Sequence, residues 1–211
     1  SPGGSAGAIN ASGSKWFLGA STTYVYMAIR RPNKPPTVGT QVYKGGATYA
    51  GNSSTINVTD VGFAPDMFYS KPEQNWYSFM YDRLRGTGQL TLGRTSAENG
   101  DYATSDLSTW SMNGITTRAG HNGSGGLNYT SQTYHNHYFK RAPGVFDMVC
   151  YSGDSVSNRQ ISHSLGVAPE LVIVKCRSAS GVGYGWAVRH YALGIELRLE
   201  TTAGDSGVDY L

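Results

Sequence analysis

The chain has 211 residues, of which 15% are charged, 39% hydrophobic and 12% aromatic, with 28 Gly and 15 Tyr. Tyr, Thr and Val interleaved with Gly and Asn favour short strands and tight turns, so an all-helical bundle or coiled coil is excluded. The formal net charge of +3 is scattered, the densest groups being Arg30-Arg31 with Lys34 and Lys140-Arg141, and no nucleic-acid partner is expected.

Ser1 to Gly7 reads as a linker or as the interior of a longer chain, with no basic or apolar signal-peptide region. Thr22 to Arg30 alternates as a strand, with Tyr24, Tyr26 and Ala28 on one face and Val25, Met27 and Ile29 on the other. The prolines of Arg31 to Pro36 then stop strand pairing and make an extended connector. Further strands are expected at 40–44, 54–58, 66–71, 76–81 and 89–92, with Met80 to Gly86 a short helix or a turn. Asn99 to Ser111 and Ala119 to Gly126 read as long polar loops, the natural place for a binding function. Strands are expected again at Thr133 to Lys140 and at 147–152, 159–163, 170–176, 185–190 and 195–200. Leu171 to Val174 is the longest apolar run, far short of the roughly 20 residues of a membrane helix, so no membrane insertion is expected. Cys150 and Cys176 sit in apolar, strand-like segments and read as buried free thiols; one disulfide between them is the alternative.

Self-comparison reveals a period of about 105–110 residues. Val61 to Met67 aligns with Leu165 to Leu171, Gln89-Leu90 with Glu196-Leu197, and Thr95-Ser96-Ala97 with Thr201-Thr202-Ala203. Trp76 aligns with Trp186, which places both in the core. A third, partial copy opens the chain: Thr23-Tyr24 and Ile29-Arg30-Arg31-Pro32 match Thr133-Tyr134 and Phe139-Lys140-Arg141-Ala142-Pro143. The expected fold is therefore all-β, made of tandem β-sandwich-like repeats with the chain cut out of phase. Residues 1–41 are the C-terminal part of a unit plus the Pro-rich connector, 42–148 a complete unit, and 149–211 the N-terminal part of a further one. An incomplete sheet exposes apolar faces and unpaired edges, so the head and tail either pair with each other or complete units elsewhere.

Catalytic signals are sparse. His135-Asn136-His137 alternates on one strand, so both imidazoles share a face and are candidate metal ligands, but further ligands must come from elsewhere. The Asn122 to Gly126 loop has nothing to orient its serine, the dispersed carboxylates define no glycosidase pair, and Gly86-Thr87-Gly88 lacks the phosphate-binding spacing. No enzyme activity, resident metal or cofactor is expected. Exposed rings stack on sugars, and Tyr- and Asn-bearing loops adapt to ligands. Trp110, Tyr129, Tyr102 and Asn122 are the candidate ligand-binding residues on that ground.

Val61-Gly62-Phe63-Ala64-Pro65-Asp66, Asn75-Trp76, Tyr81-Asp82-Arg83-Leu84-Arg85-Gly86-Thr87-Gly88-Gln89-Leu90 and Thr95-Ser96-Ala97-Glu98, with the Tyr-rich strand Tyr24 to Pro32, carry a resemblance. Together they resemble a repeated β-module of tail-fibre and virion structural proteins of tailed bacteriophages, of the marine-phage type. The second copy departs from the pattern, with Glu170 in place of Asp66 and Arg189 to Gly194 in place of the Asp-Arg-Leu-Arg-Gly stretch. Asp82 and Arg85 are accordingly read as a structural ion pair or turn bond. The resemblance implies a structural virion protein, localised to the tail or particle surface, that self-associates into a homo-oligomer or fibre with other virion proteins. It also implies contact with a host cell-surface glycan. The alternatives are a carbohydrate-binding adhesin module, a tail-associated glycan depolymerase, and a capsid decoration or filament-forming protein.

Overall fold

The computed structural model of the chain describes residues 35–74, 77–98, 106–119, 126–180, 184–193 and 196–199. The fold is all-β, with eleven strands among the described residues. A 3-10 turn (Gly39–Gln41) leads into β1 (Tyr43–Ala50), followed by β2 (Asn57–Val58), β3 (Met67–Pro72), β4 (Phe79–Asp82) and β5 (Gln89–Thr91). Then come β6 (Leu107–Ser111), β7 (Gly114–Thr117), β8 (Thr133–Phe139), β9 (Leu171–Lys175), β10 (Trp186–His190) and β11 (Glu196–Arg198). They form a five-stranded sheet in the order β1-β8-β3-β4-β5 and two three-stranded sheets, β2-β7-β6 and β11-β10-β9. Every pairing between them is antiparallel.

Strict alternation builds the central strands. In β8, Tyr134, Asn136 and Tyr138 are buried while Thr133, His135, His137 and Phe139 face partly outward; β3 alternates in the same way. Phe68, Phe79, Tyr81 and Tyr138 of the large sheet meet Val58, Leu107 and Ile115 of β2-β7-β6 in one core, making a β-sandwich. Phe68 lies at its centre, stacked on Tyr81 at 5.0 Å and 8° and edge-on to Trp110 at 5.5 Å.

The β6–β7 hairpin occupies sequence expected to be loop up to Ser111. Its composition is polar, yet Leu107 and Ile115 are buried and point to the core. The hairpin turns through Met112-Asn113, the two residues between Ser111 and its partner Gly114. Gly114 has φ +150, and a Cβ there would stand 1.9 Å from the Val58 carbonyl oxygen, so no other residue fits.

Residues 147–163 form no strand, in contrast to the expectation at 147–152 and 159–163. Tyr151 and Val156 in this stretch are exposed, so the apolar residues that suggested strands find no sheet to cover. Cys150 is correspondingly exposed and Cys176 half-buried, and both are free thiols. The Met80 to Gly86 segment finishes β4 and then turns. The expected strand at Thr22 to Arg30 lies outside the described residues.

The sheet β9-β10-β11 reproduces the pairing of β3-β4-β5. Met67 pairs with Asp82 as Leu171 pairs with His190, and Tyr81 pairs with Gln89 as Arg189 pairs with Glu196. The flanking bonds match too: the Arg83 amide donates to the Asp66 carbonyl at 2.8 Å, and the Tyr191 amide to the Glu170 carbonyl at 2.9 Å. Gly62 and Gly166, which open the two segments, both have positive φ, +88 and +74. In this register Trp186 corresponds to Ser78 and not to Trp76, because Phe79 and Ala187 occupy equivalent places opposite Ser70 and Val174. Trp186 is buried, as expected of it. Among the described residues, no helix is long and apolar enough to cross a membrane.

Candidate functional site

The outer face of the large sheet carries a row of rings. It starts at a bulge in β1, where Gly45 and Gly46 interrupt the pairing with β8 between Lys44 and Ala47. Gly46 takes φ +66, and a side chain on Gly45 would meet the Tyr43 hydroxyl at 2.3 Å. The missing side chain lets Tyr43 fold back across the sheet, where its hydroxyl lies 2.7 Å from His137 Nδ1. His137 in turn stacks on Tyr69 of β3, centroids 4.5 Å apart and rings within 7° of parallel. Phe139 continues the row, 5.1 Å from Tyr43 and 5.3 Å from Phe146. The result is a partly exposed aromatic strip with one imidazole at its middle.

His135 and His137 share this face, as their spacing predicts, but each holds a different partner. His135 Nε2 sits 3.2 Å from Glu73 Oε1, while His137 is engaged by Tyr43 and Tyr69. Among the described residues no group of three His, Cys, Asp or Glu side chains is placed to share a metal ion. Burial, and then the neighbouring His135, hold the His137 imidazole below its ordinary pKa. The strip is therefore neutral at its centre at neutral pH.

Of the residues expected to bind ligand from the loops, Trp110 lies on β6 and packs half-buried against the core. Its indole N–H donates to the Gly86 carbonyl at 2.7 Å, and the Arg83 guanidinium lies 5.2 Å from its ring centroid. Tyr129 is half-buried, and its amide donates to the Tyr134 hydroxyl at 2.9 Å. Tyr102 and Asn122 lie outside the described residues. Tyr43 and Tyr69 escaped the sequence reading, because only the pairing of β1 and β3 on either side of β8 brings them to His137.

The landmark residues of the motif have structural work. The Asp66 carboxylate accepts the Arg141 amide at 2.7 Å, and Arg83 donates to the carbonyls of Pro65 and Ser111, each at 3.0 Å. The ion pair expected between Asp82 and Arg85 forms at the end of β4, with the two side chains only 1% and 2% exposed. Arg85 also reaches Glu98 at 3.1 Å, and Glu98 takes Arg177 on its other oxygen at 2.6 Å. At the position of Asp82, the second sheet has His190, whose Nδ1 accepts the Ala192 amide at 3.3 Å in place of a carboxylate oxygen.

A shallow cleft of about 290 Å³ adjoins this region, lined by Leu84, Arg141, Asp147, Met148, His163 and Ser164 among others. Asp147 organises it, accepting the Arg141 Nε–H at 2.6 Å, the Ser164 amide at 2.6 Å and the Met148 amide at 2.8 Å. Burial pushes the Asp147 carboxyl up, but the hydrogen bonds from Ser164, Arg141 and Met148 outweigh it and hold the pKa below the ordinary aspartate value. The contribution of Asp147 is thus complete above the unfolded pKa of about 3.9 and is lost as pH falls through the lower folded value. Asp147→Asn is expected to raise hydrogen exchange at the Ser164 amide about 10- to 100-fold at neutral pH, in line with roughly 1.5–3 kcal/mol for a hydrogen bond to a charged group. Unchanged exchange would show that the 147–164 segment is held by other contacts.

These arrangements hold backbone and pack rings. No curated protein and no solved structure matches the chain significantly. One family profile does match, over residues 40–145 and again over residues 140–210. The chain belongs to the family described as Domain of unknown function (DUF7483).

Proposed function

We propose that the chain is a structural, non-enzymatic β module that self-associates, and that it serves in the virion of a tailed bacteriophage, in a tail fibre or tail-associated part. The observation that carries the self-association is the second sheet. It pairs as β3-β4-β5 pairs, yet Leu171 and Ile173 of β9 are 54% and 49% exposed. An uncovered apolar sheet of this kind is relieved by association. The tandem matches at 40–145 and 140–210 support reading 42–148 as a full unit and 149–211 as the first part of another. The phage assignment is supported by the resemblance of the Gly62 to Asp66, Asp82 to Leu90 and Thr95 to Glu98 landmarks.

Light scattering on the intact 211-residue chain is expected to give a stable multimer whose mass is a whole number of chains. A monodisperse monomer at tens of micromolar would remove the self-association. Mass spectrometry of purified particles is expected to recover its peptides as an abundant virion component, and their absence would remove the virion assignment.

A second reading, a carbohydrate-binding adhesin module, is favoured by the aromatic strip of Tyr43, Tyr69, His137 and Phe139, since flat neutral rings are what a sugar face stacks on. Its discriminating measurement is glycan-array binding that Tyr69→Ala abolishes.

A further inference from the structure

β3 is a central strand, flanked by β4 on one side and β8 on the other. Its counterpart β9 has β10 on one side and, among the described residues, is the edge of its sheet. Among the described residues, then, no strand takes beside β9 the place that β8 takes beside β3. In that place Phe139 lies opposite Met67, Tyr138 opposite Phe68, His137 opposite Tyr69 and Asn136 opposite Ser70.

One other stretch of this sequence carries the pattern of β8. Residues 23–32 reproduce its Thr-Tyr start and its Lys/Arg-Arg end, with Ile29 at the place of Phe139 and Tyr24 at the place of Tyr134. These residues lie outside the described ones. Transferring the β8–β3 register onto β9 sets Ile29 opposite Leu171, Ala28 opposite Val172, Met27 opposite Ile173 and Tyr26 opposite Val174. Each of these four pairs joins apolar or aromatic side chains, and the two exposed β9 residues receive the two largest aliphatic ones. Addition of a strand to an open edge takes its affinity from main-chain hydrogen bonds and its selectivity from such alternate side chains.

The topology of the described strands favours a second molecule as the source of the strand. The chain enters the large sheet through the turn at Gly39–Gln41 and β1, which is one edge of that sheet. The sheet containing β9 attaches beside β5, the opposite edge, where the Trp186 indole donates to the Thr91 carbonyl at 3.0 Å and the Glu98 amide to the Arg177 carbonyl at 2.8 Å. Among the described residues, β1 and the β9 sheet thus lie at opposite edges of the large sheet, and a strand supplied by a second copy makes a head-to-tail contact of the kind that builds open chains.

We propose that the open edge of β9, from Leu171 to Val174, receives residues 23–30 of a second copy of this chain as an antiparallel strand, with Met27 opposite Ile173. This rests on the self-associating reading and gives it a specific contact.

The test uses the full chain with Cys150→Ser and Cys176→Ser, because both native thiols are free. In that background Met27→Cys and Ile173→Cys are prepared as separate proteins, mixed, and oxidised with oxidised glutathione. Directly opposed residues of an antiparallel pair lie about 4.5–5.5 Å apart between Cα atoms, within disulfide reach. The mixture is expected to give a cross-linked dimer that neither protein gives alone, and pairing Met27→Cys with Leu171→Cys is expected to give much less. A multimer by light scattering with no cross-link in the mixture would overturn this pairing and leave self-association standing. A cross-link confined within single chains of the doubly substituted protein would place the strand in its own molecule and also overturn it. A monomer by light scattering would remove both. Should the cysteine variants fold poorly, Ile173→Lys supplies an independent reading. A lysine on an open edge discourages strand addition, so association is expected to weaken at least about tenfold with the circular dichroism of the isolated chain unchanged. Undiminished association would count against the edge.

Discussion

Arg85→Met is expected to lower the stability of the chain by about 3–5 kcal/mol, the size typical of removing one partner from a buried ion pair. The substitution keeps the volume of the side chain and takes away its charge. Asp82, 1% exposed, would then hold a carboxylate in the interior with its guanidinium partner gone, and Glu98 would keep Arg177 alone. The double variant Asp82→Leu/Arg85→Met should recover a large part of the loss, because no orphaned charge remains in the pair and the two effects are strongly non-additive. Urea unfolding of the three proteins checks both statements. A single-variant loss below about 1 kcal/mol would mean that water reaches the pair and that it behaves as a surface bridge.

Phe68→Ala should cost a comparable amount, about 3–5 kcal/mol, through lost transfer energy and the cavity left behind. Phe68 is fully buried, and its ring lies against Tyr81, Tyr138 and Trp110, so three large side chains lose a neighbour together. Two of them cannot collapse freely into the space. Tyr81 is held by its hydroxyl donating to Gln89 at 2.7 Å, and Trp110 by its indole bond to Gly86. Met112→Ala is the matched control, since Met112 is 80% exposed and should change stability by less than about 0.5 kcal/mol. Equal denaturation midpoints for the two variants would contradict the placement of Phe68 at the centre of the core.

The strands legible in the sequence are those whose side chains alternate in character. Tyr134, Asn136 and Tyr138 against His135 and His137 give β8 its faces, and the repeated spacing from Val61 and from Leu165 locates β3 and β9. The β6–β7 hairpin hid behind polar residues, because Leu107 and Ile115 are too few to mark a periodicity even though both reach the core. At 147–163 the error ran the other way. Val149, Cys150 and Tyr151 look like a strand, but three hydrogen bonds to Asp147 anchor the stretch as an irregular segment. For the site, period two put the two histidines on one face. It said nothing of Tyr43 or Tyr69, whose arrival depends on which strands lie beside β8, and the Gly45-Gly46 bulge that aims Tyr43 has no pattern of its own in the sequence. Trp110, expected to bind ligand from a loop, is a wall of the core.

Glu98 stands between two arginines that belong to different sheets, Arg85 beside β4 and Arg177 just beyond β9. With the Trp186 bond to Thr91 it makes the small sheet a nearest neighbour of the large one in the energetic sense, so that part of the free energy of each is stored in the boundary. The small sheet then has little reason to persist once the large one melts, and the two should unfold as one cooperative block. In a linear array of such units, order would propagate from a folded block into the next across a boundary of this kind, and a single lesion at Glu98 would act as a break in cooperativity far from any strand it touches.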